Sequence, residues 1–297
     1  MRRIEVLLFA AALLPSAAPA YPLFGSEEVA IRRLEITRLA QEGRIKDRKR
    51  LPGELLTREQ VDLRLLTHRD LVLPQPDADF TREIVALLGD DAEQYSISVL
   101  DLTDITAPRY AEHNGRVRNS PGSLGKLAAA VGLFQAVADI YPGEPERRIQ
   151  LLRDTWIAAD EFIVHDHHKV RIWEPEKRQL SIRPLHIGDR GSLWDYMDWM
   201  LSASSNAASA MVMQQVMLMR HYGKDYPVSA DEAKRFFAET PRRDLTKLFV
   251  ASFQEPLARN GIDLKGFRQG SFFTQAGKRK VPGNGSHATS RELMRFL

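Results

Sequence analysis

The 297-residue chain contains no cysteine, so it has no disulfide, no lipid-modified cysteine anchor and no thiolate chemistry. It has no block of one charge. Forty-two Lys and Arg stand against thirty-nine Asp and Glu, for a net charge of +3, and the two signs are interspersed. That mixing removes the electrostatic argument for nucleic acid as a partner. Internal repeats and low-complexity tracts are absent, which excludes solenoids and arrays. There is no G-x-S-x-G elbow, the signature of one large class of serine hydrolases, and no His-x-x-x-His pair for a zinc site. Beyond the N-terminus, no run reads as a membrane span.

The N-terminus reads as a leader. Arg2 and Arg3 form a positive start, Val6 to Leu14 is apolar but too short to span a bilayer, and Ala18-Pro19-Ala20 is a small-x-small cleavage site. This pattern predicts a signal peptide over 1–20, a mature start at Tyr21, a periplasmic or secreted location, and no membrane span after cleavage. The remaining chain is long enough for one large core or two subdomains.

Periodicity predicts an N-terminal helical extension over 21–90. Its helices are expected at 26–42, 57–66 and 81–88, and Arg44 to Arg50 is expected to be a solvated basic linker. Tyr95 to Leu102 alternates and is β-branched, and Arg109 to His113 can return as the second strand of a hairpin. Helices follow at 127–140 and 144–163, the latter on the spacing of Ile149, Leu152, Trp156, Ala159 and Phe162. Val164 to Arg183 reads as irregular or as a hairpin. Further helices are expected at 192–201, 206–222, 229–237 and 242–253, and a last one from Ser286 or Ala288 to the end. Met211, Met213, Met217 and Met219 read as core packing, and Trp194 and Trp199 as helix anchors.

The most informative stretch is Asn119-Ser120-Pro121-Gly122-Ser123-Leu124-Gly125-Lys126, at the mouth of the 127–140 run. On a helix, residues at i and i+3 share a face, so the Ser123 hydroxyl and the Lys126 amine can meet. A serine becomes a useful nucleophile when a neighbouring base takes its proton, and burial can lower a lysine pKa enough to make it that base. The bland alternative is that Ser123 caps the helix. The pattern gains weight from Ser204-Ser205-Asn206, which lies between two expected helices. There a hydroxyl can pass a proton and a carboxamide can hold a carbonyl and the lysine.

These two motifs, in this order, resemble the S-x-x-K and S-x-N elements of the serine β-lactamase and penicillin-binding protein superfamily. Ile187 to Trp194 is similar to the approach to the second motif, and His287 to Leu293 to a helix near the third. The resemblance covers roughly residues 91–297. It implies an α/β subdomain beside an all-α subdomain, with Ser123 as the acylated nucleophile and Lys126 as its proton partner. It further implies Ser204 as proton shuttle and Asn206 as the contact to substrate amide and lysine. The implied substrate is a β-lactam or a peptidoglycan-like peptide, and no cofactor is implied. A D,D-peptidase and a catalytically silent binding protein of the same fold are the alternatives.

Ser205 stands where many relatives carry aspartate. Neither a K-T-G nor an E-x-x-L-N is present. Glu239 and Glu255 lie in the right stretch for a deacylating base but lack its context. The chain is therefore expected to be an incomplete version of that domain, truncated at its C-terminal end, with an exposed sheet edge and a tendency to aggregate. His165-Asp166-His167-His168 reads as a polar hairpin tip before a metal site, and His186, Asp189 and Arg190 as a turn before a cleft rim. The leader makes the first testable expectation: N-terminal sequencing of the exported protein should begin at Tyr21, and a Met1 start in a membrane fraction would contradict it.

Overall fold

The structure, a computed structural model, describes residues 23, 25–46, 56–164 and 166–297. The leader, most of the basic linker and His165 lie outside the described residues. The first helix of the sequence reading is two helices, α1 (Ser26–Val29) and α2 (Leu34–Gln41), separated by Ala30 in the left-handed region with φ 52°. The break has a tertiary cause. The Arg32 backbone N–H donates to Asp195 Oδ1 at 3.0 Å, a bond it could not make inside a continuous helix, where Glu28 would take it. The Arg32 side chain reaches Asp195 at 2.7 Å, and Arg33 forks onto Asp198 at 2.5 and 2.6 Å.

The second expected helix is a 3₁₀ turn (Arg58–Gln60) and the single turn α3 (Arg64–Thr67). Half of the expected capping box forms, with Thr57 N–H donating to Gln60 Oε1 at 2.9 Å. Helix α4 (Ala78–Ala86) starts earlier than expected because Asp77 caps it through Phe80 N–H at 2.8 Å. The Asp77 N–H donates to Tyr110 O at 2.8 Å. Residues 25–46 and 56–94 thus dock in different places, the first on the helical part and the second on the hairpin that follows.

That hairpin is β1 (Ile97–Asp101) against β2 (Arg109–His113), antiparallel from Ile97↔His113 to Asp101↔Arg109. Helices α5 (Gly125–Ile140) and α6 (Pro145–Asp154) follow. The expected helix over 144–163 stops at Asp154. Trp156–Ala158 forms β3, and Asp160 caps a 3₁₀ turn at Glu161–Ile163. Trp156, read as facing the core, is 48% exposed. The helical spacing there is a coincidence of apolar residues on either side of a β-branched and aromatic Thr-Trp-Ile run, which favours strand.

Strands β4 (Val170–Glu174) and β5 (Gln179–Arg183) form a second hairpin, and its tip is Pro175–Arg178. Asp166 to His168 therefore precede this hairpin and do not form its tip. Strand β6 (Arg190–Ser192) pairs with β3 and leads into α7 (Leu193–Ser202), which starts with a Ser192/Asp195 capping box. Then come α8 (Asn206–Tyr222), α9 (Ala230–Glu239), α10 (Arg242–Phe253) and α11 (Glu255–Arg259). The chain closes with β7 (Phe267–Arg268), α12 (Gln275–Lys280), β8 (His287–Ala288) and α13 (Ser290–Phe296). The last helix starts later than expected because His287–Ala288 pair with β7, and Ala288 exchanges two 2.9 Å backbone bonds with Asn119.

The fold is mixed α and β: helices dominate, and among the described residues every sheet is a two-stranded ribbon. Helix α8 is the axis of the core. Met211, Met213, Met217 and Met219 are all buried on it, against α5, α7 and α10, as core packing requires. The stretch Gly122–Ile140 is long and apolar enough to cross a membrane by length and composition, contrary to the sequence reading. Its Ala128, Ala129, Leu133 and Val137 are buried in the protein core.

Helices α5 and α10 cross closely at Gly132, where an added Cβ would lie 2.6 Å from Ser252 O and 3.0 Å from the Phe253 ring. In Gly132→Ala, the gain in helix propensity of about 1 kcal/mol is outweighed by a backbone clash that cannot relax. Urea denaturation is expected to show a net loss of about 1–3 kcal/mol; a stabilised variant would contradict this packing.

Candidate active site

Ser123 sits in the 3₁₀ turn Gly122–Leu124 that opens α5, and it is exposed. It is not a helix cap, because no side-chain cap bond forms at either start. Its Oγ instead accepts from Ser204 Oγ at 2.8 Å and from Lys126 Nζ at 3.2 Å. Lys126 lies one turn further along, as the i, i+3 spacing predicts, and is only 2% exposed. Gly125 between them has a reason. A Cβ there would lie 2.1 Å from Gln269 Oε1, so with glycine at 125 the Gln269 side chain lies against the start of α5 without having to move aside. The 269–273 segment places the Phe273 ring 5.1 Å from the Lys126 amine.

The second motif arrives from the loop between α7 and α8. Ser204 has φ 55°, a left-handed conformation uncommon for serine. In that conformation one residue gives two oxygens to the lysine: Lys126 Nζ donates to Ser204 O at 2.5 Å and to Ser204 Oγ at 3.0 Å. A glycine, the usual residue for this conformation, would supply only the carbonyl. Ser205 turns the other way and caps α8 through Ala208 N–H at 3.1 Å. Asn206 is the first residue of α8 and half-buried, and among the described residues its carboxamide has no hydrogen-bond partner. The expected contact between Asn206 and the lysine is therefore not made, since the Ser204 carbonyl takes that place.

Three of the four residues singled out from sequence thus form one triangle, from positions 81 residues apart, and the fourth stands beside it. The Lys126 amine is strongly shifted. Burial drives its pKa down from 10.5 to about 8, and the carboxylate of Asp166 pulls in the opposite direction. A fraction of neutral amine is then present near neutral pH, as a general base requires.

Asp166 is the residue that sequence reasoning missed. Its side chain is 3% exposed. It accepts from Ser205 Oγ at 2.9 Å, Ala207 N–H at 2.8 Å, His168 N–H at 3.2 Å and His168 Nδ1 at 2.5 Å. Burial raises its pKa, but these donors outweigh it and hold the carboxyl below the ordinary range. Asp166, His167 and His168 bring potential metal-ligand atoms within 4.8 Å of one another. The Asp166 oxygens, however, are already committed to protein donors, which makes this trio a poor cation site. The only sequence signal was the cluster His165 to His168, and nothing in it points to α8.

Glu239 and Glu255 are exposed and touch none of Ser123, Lys126 and Ser204. Lys280 is paired with Glu161 at 2.6 Å. His186, Asp189 and Arg190 belong to an ion-paired turn, in which Arg183 forks onto Asp189 at 2.6 and 2.8 Å. Family models, curated proteins and solved structures give no match for the chain. Support for a function comes from the geometry around Ser123.

The buried amine has a linkage consequence. With a folded pKa of about 8 against 10.5, the native state carries a penalty on the order of 3 kcal/mol, fully present below pH 8. It fades as pH rises from about 8 toward 10.5, because the unfolded chain then binds the extra proton. Lys126→Met is expected to melt higher than the wild type at neutral pH, with the gap narrowing across that window. A gap independent of pH would contradict the buried, shifted amine.

Proposed function

We propose that this chain is a serine hydrolase of the β-lactamase-like kind, acting through an acyl-serine intermediate on β-lactams or related amides. One observation carries the reading: Ser123 Oγ, Ser204 Oγ and Lys126 Nζ lie mutually within 2.8–3.2 Å, with the serine exposed and the lysine buried. The corresponding fold is a β-lactamase and transpeptidase-like arrangement of residues 91–297. Supporting it are a β-hairpin before the Ser123 helix, a mainly helical stretch that returns Ser204 to it, and α13 packed against β1. Residues 1–20 carry the pattern of a secretory leader, which suits a periplasmic or secreted enzyme.

In this mechanism neutral Lys126 accepts the Ser123 proton as Oγ attacks the amide carbonyl carbon. The tetrahedral intermediate collapses, the C–N bond breaks, and Ser204 passes a proton to the leaving nitrogen while Lys126 replaces it. The Asn206 carboxamide, without a hydrogen-bond partner among the described residues, is available to the substrate amide. Water then cleaves the ester and regenerates Ser123.

A second reading, a penicillin-binding D,D-peptidase, is favoured by the carboxylates. Among the described residues the carboxylate acting on Lys126 is Asp166, engaged by protein donors, so a β-lactam acyl-enzyme would lack a free carboxylate there to activate water. Intact mass spectrometry after incubation with a penicillin, beside Ser123→Ala, tests both readings. An adduct on the wild type alone supports the acyl-serine mechanism with slow deacylation. Penicillin hydrolysis that Ser123→Ala abolishes supports a β-lactamase. Neither adduct nor hydrolysis from folded protein contradicts both.

A further inference from the structure

We infer that the buried Asp166 carboxylate is the positioning group of this site, fixing the loop that presents Ser204 and Asn206 and supplying the negative charge that faces Lys126. The inference rests on the acyl-serine reading for its kinetic readout and on geometry for its substance. Asp166 is far in sequence from the residues it holds at the start of α8, with Ser205 Oγ 39 and Ala207 N 41 positions away. One of its two oxygens, Oδ2, meets the start of that helix, where backbone N–H groups lack helical partners and the helix dipole favours an anion. One oxygen, Oδ2, accepts from both Ser205 and Ala207, so the carboxylate grips the residues on either side of Asn206.

That grip determines where Ser204 stands. Ser204 is held in its left-handed conformation between the end of α7 and a Ser205 whose hydroxyl is tied on both sides, to Asp166 and to Ala208 N–H. Releasing Ser205 removes the constraint that aims Ser204 O and Oγ at Lys126. The other carboxylate oxygen is closed by His168, whose ring stacks on His167 at 4.6 Å. Among the described residues the two segments that close over Lys126 bring no competing charge. The segment Gln269-Gly270-Ser271-Phe272-Phe273 is uncharged, as is the stretch Ala203–Asn206. Among the described residues the charge felt at Lys126 is that of Asp166, with His167 and His168 the titratable groups beside it.

The experiment is the pH dependence of acylation by a fluorescent penicillin in wild type, Asp166→Asn and Asp166→Glu. In Asp166→Asn the limiting rate is expected to fall by about tenfold to a hundredfold from misplacement of Ser204. The rising limb should move to lower pH by about half a unit or more, because the ammonium loses its negative neighbour. Asp166→Glu, which keeps the charge, should keep the wild-type midpoint. A lower melting temperature and rate with an unmoved midpoint in Asp166→Asn would reduce Asp166 to a structural residue and overturn the inference. If wild type is not acylated, the acyl-serine reading fails by itself. The inference is then read from the Lys126 ¹³Cε titration by NMR, with the signal identified by its loss in Lys126→Met. The same acidic shift in Asp166→Asn is expected, and an unchanged midpoint overturns it. Should Asp166→Asn fail to fold, Ser205→Ala removes one bond to the carboxylate and keeps the charge. It should slow acylation several-fold with the midpoint in place, and an unaltered rate overturns the positioning role.

Discussion

The Lys126 ammonium has exchanged water for three oxygen atoms, one from Ser123 and two from Ser204, at the point where α5 meets the loop between α7 and α8. Taking a cation out of water is costly unless its protons are satisfied and its charge is balanced. All three N–H groups find acceptors, and the nearest opposite charge is the buried Asp166 carboxylate. The residual penalty appears as the lowered pKa, which is also what the proposed role of the amine as a base requires. Stability and chemistry thus pull against each other at one atom, as is common at functional sites.

The scaffold is organised to hold that atom in place. The 3₁₀ turn and the first turn of α5 bring Ser123 and Lys126 together, and the Gln269 and Phe273 side chains lie against Gly125 between them. Helix α8, buried through its methionines, carries the second motif at its N-terminus. Helix α7 delivers Ser204, and its start is pinned from outside by Arg32 and Arg33 on Asp195 and Asp198. These pairs are partly buried, so their net contribution to stability is modest, but removing one partner would leave a buried charge unpaired. The N-terminal segment is thereby tied to the helix that ends at the site.

What was legible in the sequence was local. The Ser123–Lys126 pairing follows from helical spacing, and the methionine run on α8 reads correctly because unbranched apolar side chains along a helix pack into a core. The Ser204–Asn206 motif was visible as residue types, although not the left-handed backbone that makes Ser204 O a ligand of the lysine. The misses share a cause in tertiary contacts. The helix expected over 26–42 breaks because Arg32 gives its backbone N–H to Asp195. The helix expected over 144–163 ends because 156–158 pairs with 190–192. Asp166 was hidden for the same reason, since two of its partners, Ser205 and Ala207, lie about forty residues away and its local sequence reads as a polar hairpin tip.

The central claim is that Lys126 and Ser204 make Ser123 a nucleophile, and it can be tested without knowing the substrate. A serine-directed fluorophosphonate, followed by peptide mapping and by the rate of labelling, reads the reactivity of each hydroxyl. Labelling is predicted at Ser123 ahead of every other serine, with strong slowing in Lys126→Met and in Ser204→Ala. Labelling spread over many serines, or a Ser123 rate unaffected by Lys126→Met, would contradict the account.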